Sequence, residues 1–452
     1  AIVAGVPTYY SLPAILASRY PLALGREVVG LAPGEKTLAS ALRQEEYATA
    51  FLGAGNPYIS AQFGYDFGFD TFRDFVEGDY LPTSNPEEPL TGRNRWMGKV
   101  NGVLADASHK IPRIGAAYDE LYFRYCQRRA AHSASFDSLR RFPSAEVIVD
   151  QARVWLISVR ERPFFLWLHF MDPHSPYYPG EKALKNFGTH ISASRAQYLN
   201  AYWNRSDLSH SRLQSHQNEV LALYDSAIRG VDEQIARLVE ILTDLRVWEN
   251  CIFALTADHG EEFLEHDRRY HAPGLTEELI HIPLIMRAPW AKKKKVCLNP
   301  FSLLHLAPTL LAAAELKIPA EFEGRNHWNH IQQGTPWSAP AISECIAGCT
   351  NPYRREQRRG ARLVAVREER YKLILDFDSG CDHLFDLEAD PKEQHPVPSS
   401  AGKPHRARLL EVARAHLKRS SAQKDSAASL RARLREVGTD IANLPHHIRS
   451  AS

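Results

Sequence analysis

A stripe of apolar side chains at Val220, Leu223, Tyr224, Ala227, Ile228, Val231, Ile235, Leu238 and Leu242 repeats every three to four residues along Glu219–Leu245. That period gives a long helix one apolar face, and a face of that length has to lie on a sheet. The period then changes. Ile252-Phe253-Ala254-Leu255-Thr256-Ala257 is a short apolar run rich in β-branched and aromatic residues, which reads as a buried parallel strand. A long amphipathic helix feeding a buried strand is the building unit of an α/β protein. Two further apolar runs fit the same plan. Phe164–Phe170 follows Pro163 and ends before Asp172-Pro173-His174, and Pro283–Met286 is shorter. From about Ala341 the texture shifts to Leu363–Val366, Tyr371–Leu375 and Leu384–Leu387, a meander of short antiparallel strands forming a smaller domain. After Pro398-Ser399-Ser400 the chain becomes rich in Arg, Lys and Ala, with Leu409, Leu410, Val412, Leu417, Leu430 and Leu434 spaced for surface helices that break near Ser420-Ser421.

Composition narrows the function classes. With 55 Lys+Arg against 53 Asp+Glu the chain carries no global steering field, so no nucleic-acid partner is expected. No apolar stretch is long enough to span a bilayer, and Lys292–Lys295 reads as a solvated turn. Six scattered cysteines argue for a reduced compartment, here expected to be the cytoplasm, and Cys345 and Cys349 lack the second pair a zinc site needs. The chain opens at Ala1 without Met and enters Ile2-Val3-Ala4-Gly5 at once, so an upstream segment is expected.

Residues just past the carboxyl end of a buried strand lie in the crevice where open α/β sheets bind ligands. After the run at 252–257 those residues are Asp258-His259-Gly260-Glu261. A carboxylate beside an imidazole can share a divalent cation; the same residues also read as a helix-capping Asp and an exposed His. Thr8-Tyr9-Tyr10-Ser11 opens an apolar helical run that reaches Tyr20-Pro21. Thr8 or Ser11 would then stand at a helix N-terminus, where free N–H groups and the dipole favour an anionic oxygen, either as a nucleophile or as a plain N-cap. His174 falls just beyond the strand at 164–170, between Pro173 and Pro176. It would bind a substrate oxygen or protonate a leaving group, or else be structural. Between 258 and 281 His and carboxylates crowd together, and His266 or His271 could complete the site. Hydrolysis of a charged ester needs this mixture: a cation, an in-line nucleophile and an acid for the leaving oxygen.

With these residues placed, the chain resembles the sulfatases of the alkaline phosphatase superfamily from about Thr8 to Gln394. Ala257–Phe263, Glu265-His266 and His271 match that family's metal-binding segment and trailing histidine, and Asp172–Tyr177 its central His motif. Leu306–Leu310, Arg370–Ile374 and Leu384–Leu387 match its C-terminal half. The resemblance implies an alkaline-phosphatase-like α/β sandwich, a mostly parallel central sheet flanked by helices, with a small C-terminal antiparallel-sheet subdomain. It divides the chain into a catalytic domain at 1–335, a sheet subdomain at 336–398 and a basic helical tail at 399–452. It further implies one divalent metal ion on Asp258 and His259, calcium in sulfatases, with manganese or zinc if the chemistry is phosphoryl transfer. Thr8 would attack, while His174 and His271 contact the sulfuryl group or assist the leaving oxygen.

Two departures shape the readings. Thr8-Tyr9-Tyr10-Ser11-Leu12 falls on the family's Cys/Ser-x-Pro-Ser-Arg signature, with Thr8 where sulfatases form formylglycine and Leu12 where they carry Arg. The family's aspartate pair lies on a first strand upstream of Ala1, so the catalytic domain is expected to lack that strand. The leading reading is a metal-dependent hydrolase acting on a small-molecule or glycan sulfate ester. The competing readings are a phosphodiesterase or phosphonate monoester hydrolase using unmodified Thr8, and a non-catalytic protein on a degenerate sulfatase fold. The loops at Glu77–His132 and Gly180–His216 carry no substrate pattern, and nothing in the sequence sets an oligomeric state.

Overall fold

The computed structural model of the chain describes residues 1–75, 120–121, 123–124, 135–290, 296–297, 299–337, 339–377 and 379–420. The run Lys292–Lys295, most of the 77–132 loop, and Leu430 and Leu434 of the tail lie outside the described residues.

After helices α1 (Thr8–Ala17) and α2 (Leu38–Gln44) comes strand β1 (Ala48–Leu52), every residue of which is buried. It is the middle strand of a parallel three-stranded sheet, between β2 (Thr71–Arg73) and β3 (Phe164–Leu168). Ala48 pairs with Phe164 and Leu52 with Leu168, so the carboxyl ends of β1 and β3 finish side by side. Side chains alternate along these strands. Phe51, Phe165 and Trp167 meet Leu12 and Leu16 of α1 on one face. Leu52, Leu166 and Leu168 meet helices α3 (Ala145–Val159) and α4 (Gln217–Asp244) on the other, through Ile148, Val149, Leu238 and Leu242. The C-terminal part of the apolar stripe at 219–245 therefore does cover a sheet, whereas Val220 and Leu223 pack with Tyr177, Leu199 and Phe263, and Ile228 stays exposed.

The strand after that helix departs from expectation. β4 (Phe253–Thr256) is half-buried and runs antiparallel to β7 (Leu284–Arg287), with Thr256 opposite Leu284. Period and composition locate a strand but do not fix its partner's direction. Among the described residues β3 and β4 are each hydrogen-bonded along one edge only, which is why their apolar side chains keep some exposure. Both still pack on one helical layer, since Phe253 joins Leu166 and Leu168 against Leu238. Between β4 and β7, β5 (Glu262–Phe263) and β6 (Arg269–Tyr270) form a two-stranded ribbon.

The expected C-terminal meander is an antiparallel sheet of four strands in the order β11-β10-β9-β8. These are β8 (Ala341–Ile346), β9 (Arg362–Glu368), β10 (Tyr371–Asp376) and β11 (Cys381–Asp386). β8 lies against the N-terminal segment, its Glu344 amide donating to the Ala4 carbonyl at 2.9 Å. A tail helix at 403–420 covers the sheet by seating Leu409 and Ala413 against Val364, Leu373 and Leu384.

One buried charge locks these parts together. Glu344, fully buried on β8, accepts from the Leu22 amide at 2.9 Å, Arg362 Nε at 3.1 Å and His416 Nε2 of the tail helix at 3.0 Å. Burial pushes its carboxyl up, but His416 and Arg362 outweigh burial and hold it at about 2, against an ordinary 4.5. A depressed carboxylate stabilises the fold above its unfolded value and loses that contribution as pH falls through its folded value. Glu344→Gln is therefore expected to cost on the order of 3 kcal/mol at pH 7. The deficit relative to wild type should shrink below about pH 4. Urea unfolding at both pH values checks this, and an equal deficit at the two would reject it.

Candidate active site

The carboxyl ends of β3 and β4 and the start of α1 converge on one cluster. Thr8 is the first residue of α1 and is buried. Tyr10 and Ser11 amides both return to the Pro7 carbonyl, whereas those of Thr8 and Tyr9 donate to no described residue. The N-terminal placement read from the sequence thus holds for Thr8, and two amides and the helix dipole stand ready for an anionic oxygen. Ser11 is one turn deeper, buried, with its Oγ unpartnered; it is not the residue facing the histidines.

Thr8 Oγ1 lies 3.2 Å from His259 Nε2. The other ring nitrogen of His259, Nδ1, is 2.8 Å from the Gly260 carbonyl. A carbonyl can only accept, so Nδ1 carries a proton and Nε2 is the nitrogen turned toward Thr8 and Asp258. Asp258 Oδ2 is 3.7 Å from His259 Nε2, inaccessible to solvent and without a hydrogen-bond partner. Burial pushes the Asp258 carboxyl up, but His259, His169, the Thr8 hydroxyl and His271 together hold it below the ordinary carboxylate range. It is ionised with one oxygen unused.

Gly260 is required here. Its amide donates to the Leu279 carbonyl at 2.8 Å, and a Cβ at this position would sit 1.9 Å from the Glu278 carbonyl oxygen. Only glycine lets the 258–261 turn press against the 278–279 segment.

The remaining predicted residues also arrive. His271 packs on His259 with ring centroids 4.5 Å apart and on His174 at 4.9 Å. Its Nδ1 is 3.2 Å from Glu261 Oε2, and Glu261 Oε1 accepts from the Tyr177 hydroxyl at 2.7 Å. Burial lowers His271, yet Glu261 and then Asp258 outweigh it and raise the ring above its ordinary value. His174 differs. Burial and the neighbouring His271 push it down to about 4, and its Nδ1 faces the Ser175 carbonyl at 2.6 Å. At neutral pH His174 is therefore an unprotonated ring with Nε2 free to accept, and His271 is the better proton donor.

Three contributors were not singled out from the sequence. His169 follows β3 directly; burial pushes its ring down while Asp258 opposes this and His259 adds to it. Its place after a strand was the available signal. Glu261 and Tyr177 sit inside motifs already noted, but their pairing across 84 residues left no local trace. His266 goes elsewhere. It meets Glu278 at 3.1 Å, and together with Glu262 these residues bring ligand atoms within 4.8 Å of one another. That second cluster already contains its own cation, because Arg268 Nη2 donates to Glu262 Oε1 at 2.7 Å.

Comparison with known proteins identifies the family. Residues 1–316 match the family described as Sulfatase, and residues 261–422 match N-sulphoglucosamine sulphohydrolase, C-terminal. Arylsulfatase K of Canis lupus familiaris is 24% identical over 286 residues, covering 54% of this chain and 50% of that protein. The chain thus spans about half the length of the curated relatives it matches. Among solved structures, BT4656 in complex with D-glucosamine-2-N,6-O-disulfate aligns over 93% of this chain and 90% of its own, with a TM-score of 0.66 and 15% identity. A phosphonate monoester hydrolase from Silicibacter pomeroyi aligns over 95% of this chain and 88% of its own, with a TM-score of 0.60 and 20% identity. At these identities the structural matches speak for the fold alone.

Proposed function

The chain belongs to the sulfatase family, and on that premise we propose that it hydrolyses sulfate esters with Thr8 as the nucleophile. The observation that carries this reading is the Thr8 hydroxyl held 3.2 Å from His259 Nε2, at a helix N-terminus whose first two amides donate to no described residue. Sulfatases bind a divalent metal ion, and the residues here fit one. The unpartnered, ionised Oδ2 of Asp258 is a hard donor 3.7 Å from His259 Nε2, a nitrogen ligand once deprotonated. Asp258 and His259 would hold the cation, with Thr8 beside it. When bound, it supplies positive charge that offsets the non-bridging oxygens of the ester and favours the Thr8 alkoxide. Calcium is the proposed ion for sulfate esters. The Glu262–His266–Glu278 cluster is left to structure, since Arg268 already compensates it.

The chain's own residues account for the remaining steps. The Thr8 proton leaves to water as Oγ1 bonds to sulfur. The amides of Thr8 and Tyr9, which donate to no described residue, donate to a sulfuryl oxygen. The S–O bond to the alcohol breaks, and His271, kept protonated by Glu261, delivers a proton to the leaving oxygen. Water then attacks sulfur, releasing sulfate and restoring the Thr8 hydroxyl. His174 accepts a hydrogen bond from water or substrate hydroxyl and orients it.

A phosphonate monoester or phosphodiester reading is favoured by one specific observation, the unmodified threonine at the nucleophile position. Comparing kcat/KM for 4-nitrophenyl sulfate, 4-nitrophenyl phenylphosphonate and bis(4-nitrophenyl) phosphate with Ca²⁺ or Mn²⁺ decides between them. The sulfate is expected to lead, and a phosphonate or phosphodiester preference would reverse the assignment. The pH profile tests the proton donor. Because Glu261 raises His271, activity should persist upward in pH and fall as His271 loses its proton. Glu261→Gln removes the raising carboxylate, so the alkaline limb of kcat/KM should move to lower pH. An unmoved limb would take His271 out of the acid role.

A further inference from the structure

The Glu262–His266–Glu278 cluster, which takes no part in the site at Thr8, holds a donor atom that the fold leaves idle. Glu262 lies on β5 and is fully buried. Its Oε1 accepts from Arg268 Nη2 and from the Thr276 hydroxyl, both at 2.7 Å. Its Oε2 is inaccessible to solvent and has no hydrogen-bond partner. A buried carboxylate oxygen in that state is costly unless something binds it. Arg268 supplies one positive charge against the two carboxylates of the cluster. His266 is drawn toward the second, because Glu278, 3.1 Å from its Nε2, lifts the ring above its ordinary value against the effect of burial.

The geometry matches a small cation of the zinc type. One ligand atom from each of the three residues lies within 4.8 Å of the other two. The His266–Glu278 separation of 3.1 Å is close to the roughly 3.3 Å between neighbouring ligands of a tetrahedral ion with bonds of about 2.0 Å. An imidazole nitrogen among carboxylate oxygens selects zinc-like ions over calcium, which prefers a cage of oxygens. The His266 and Glu278 side chains keep 16% and 18% of their surface exposed, which leaves an entry path and room for a water as fourth ligand. A cation here would also hold something in place. Glu262 and His266 belong to the β5–β6 ribbon and its turn, where Leu264, Asp267 and Tyr270 have φ of 81°, 58° and 65°, a conformation that is unfavourable for residues other than glycine. Glu278 lies in the short helix Glu277–Ile280, whose backbone presses on Gly260. Tying the ribbon to this helix would fix the turn that carries Asp258 and His259.

We propose that Glu262, His266 and Glu278 form a second, structural metal site for a zinc-type divalent cation, separate from the catalytic cation on Asp258 and His259. On binding, zinc displaces any proton on His266 Nε2 to solvent and bonds to that nitrogen, to Glu278 and to the idle Oε2 of Glu262. The Arg268 contact to Oε1 stays in place and balances the remaining carboxylate charge. The site is independent of which ester the Thr8 centre hydrolyses.

The test uses zinc alone as the probe. Its host is Asp258→Asn protein freed of metal with EDTA and dialysed, so that the Thr8 centre lacks its carboxylate. Calorimetry is expected to find one zinc per chain. His266→Gln and Glu278→Gln should each weaken binding by about 100-fold or more, since losing even an outer partner of a metal ligand costs about 10- to 100-fold. Both should also remove the zinc-linked rise in unfolding temperature. His190→Gln, which removes an exposed histidine, should change neither readout. X-ray absorption at the zinc edge of the loaded Asp258→Asn protein needs no cluster variant and decides the matter if one fails to fold. One imidazole with otherwise only oxygen at about 2.0 Å is expected. A dissociation constant above about 100 μM, full zinc affinity in His266→Gln or Glu278→Gln, or a sulfur or second imidazole on the metal would overturn the proposal. Absence of ester turnover would leave these readouts untouched.

Discussion

Thr8→Ala is expected to lower kcat for 4-nitrophenyl sulfate by about 10⁴-fold or more, with KM little changed. The size follows from what is removed. Among the described residues no other hydroxyl is hydrogen-bonded to His259: Ser11 is buried a turn away with an unpartnered Oγ, and water would have to replace a hydroxyl already positioned 3.2 Å from His259 Nε2. Thr8→Ser keeps the oxygen and loses one methyl group, so it should retain activity within about 100-fold of wild type. Peptide mass analysis after rapid acid quench should find a sulfuryl group on the peptide containing Thr8. A Thr8→Ala enzyme within tenfold of wild type would remove Thr8 from the mechanism and leave only direct attack by water.

The parts of this site that were legible in the sequence share one property: each is a short run whose meaning is local. Asp258-His259-Gly260 announces itself because a strand-like run ends there, and Thr8 because a helical run begins there. His174 and His271 were legible once the order of motifs was taken together. Pairings made at long range left no trace. Tyr177 with Glu261, and Tyr353 with Pro57, join segments 84 and 296 residues apart, and no periodicity encodes a contact of that separation. The same limit explains the error at β4. An apolar run of four to six residues says that a strand is buried on at least one face, but its hydrogen-bonding partner is chosen by topology. Histidine density misled in a different way. His266 lies among the residues that carry the chemistry, yet its ring is taken by Glu278 at 3.1 Å, a partner twelve residues on that the sequence did not mark as preferred over the site.

Asp258→Asn should abolish the cation requirement and the activity together, lowering kcat/KM on the order of 10³-fold, the several kcal/mol a cation contributes to a charged transition state. The substitution keeps the shape and one acceptor oxygen but removes the ionised one that now has no protein partner. Two stability effects can be told apart. Without added metal, Asp258 is held below its ordinary value by His259, His169, Thr8 and His271 despite burial. Its ionised form therefore favours the folded state above the unfolded carboxylate value, so the variant should be modestly less stable at neutral pH. With metal at about 100 times its dissociation constant, wild type should gain about 3 kcal/mol by mass action. The variant should gain none. Thermal unfolding of both proteins in EDTA and in Ca²⁺ reads each effect separately. An equal Ca²⁺-linked gain in Asp258→Asn would move the cation away from this carboxylate, and the Glu262–His266–Glu278 cluster, with Glu278→Gln as its probe, would become the site to examine.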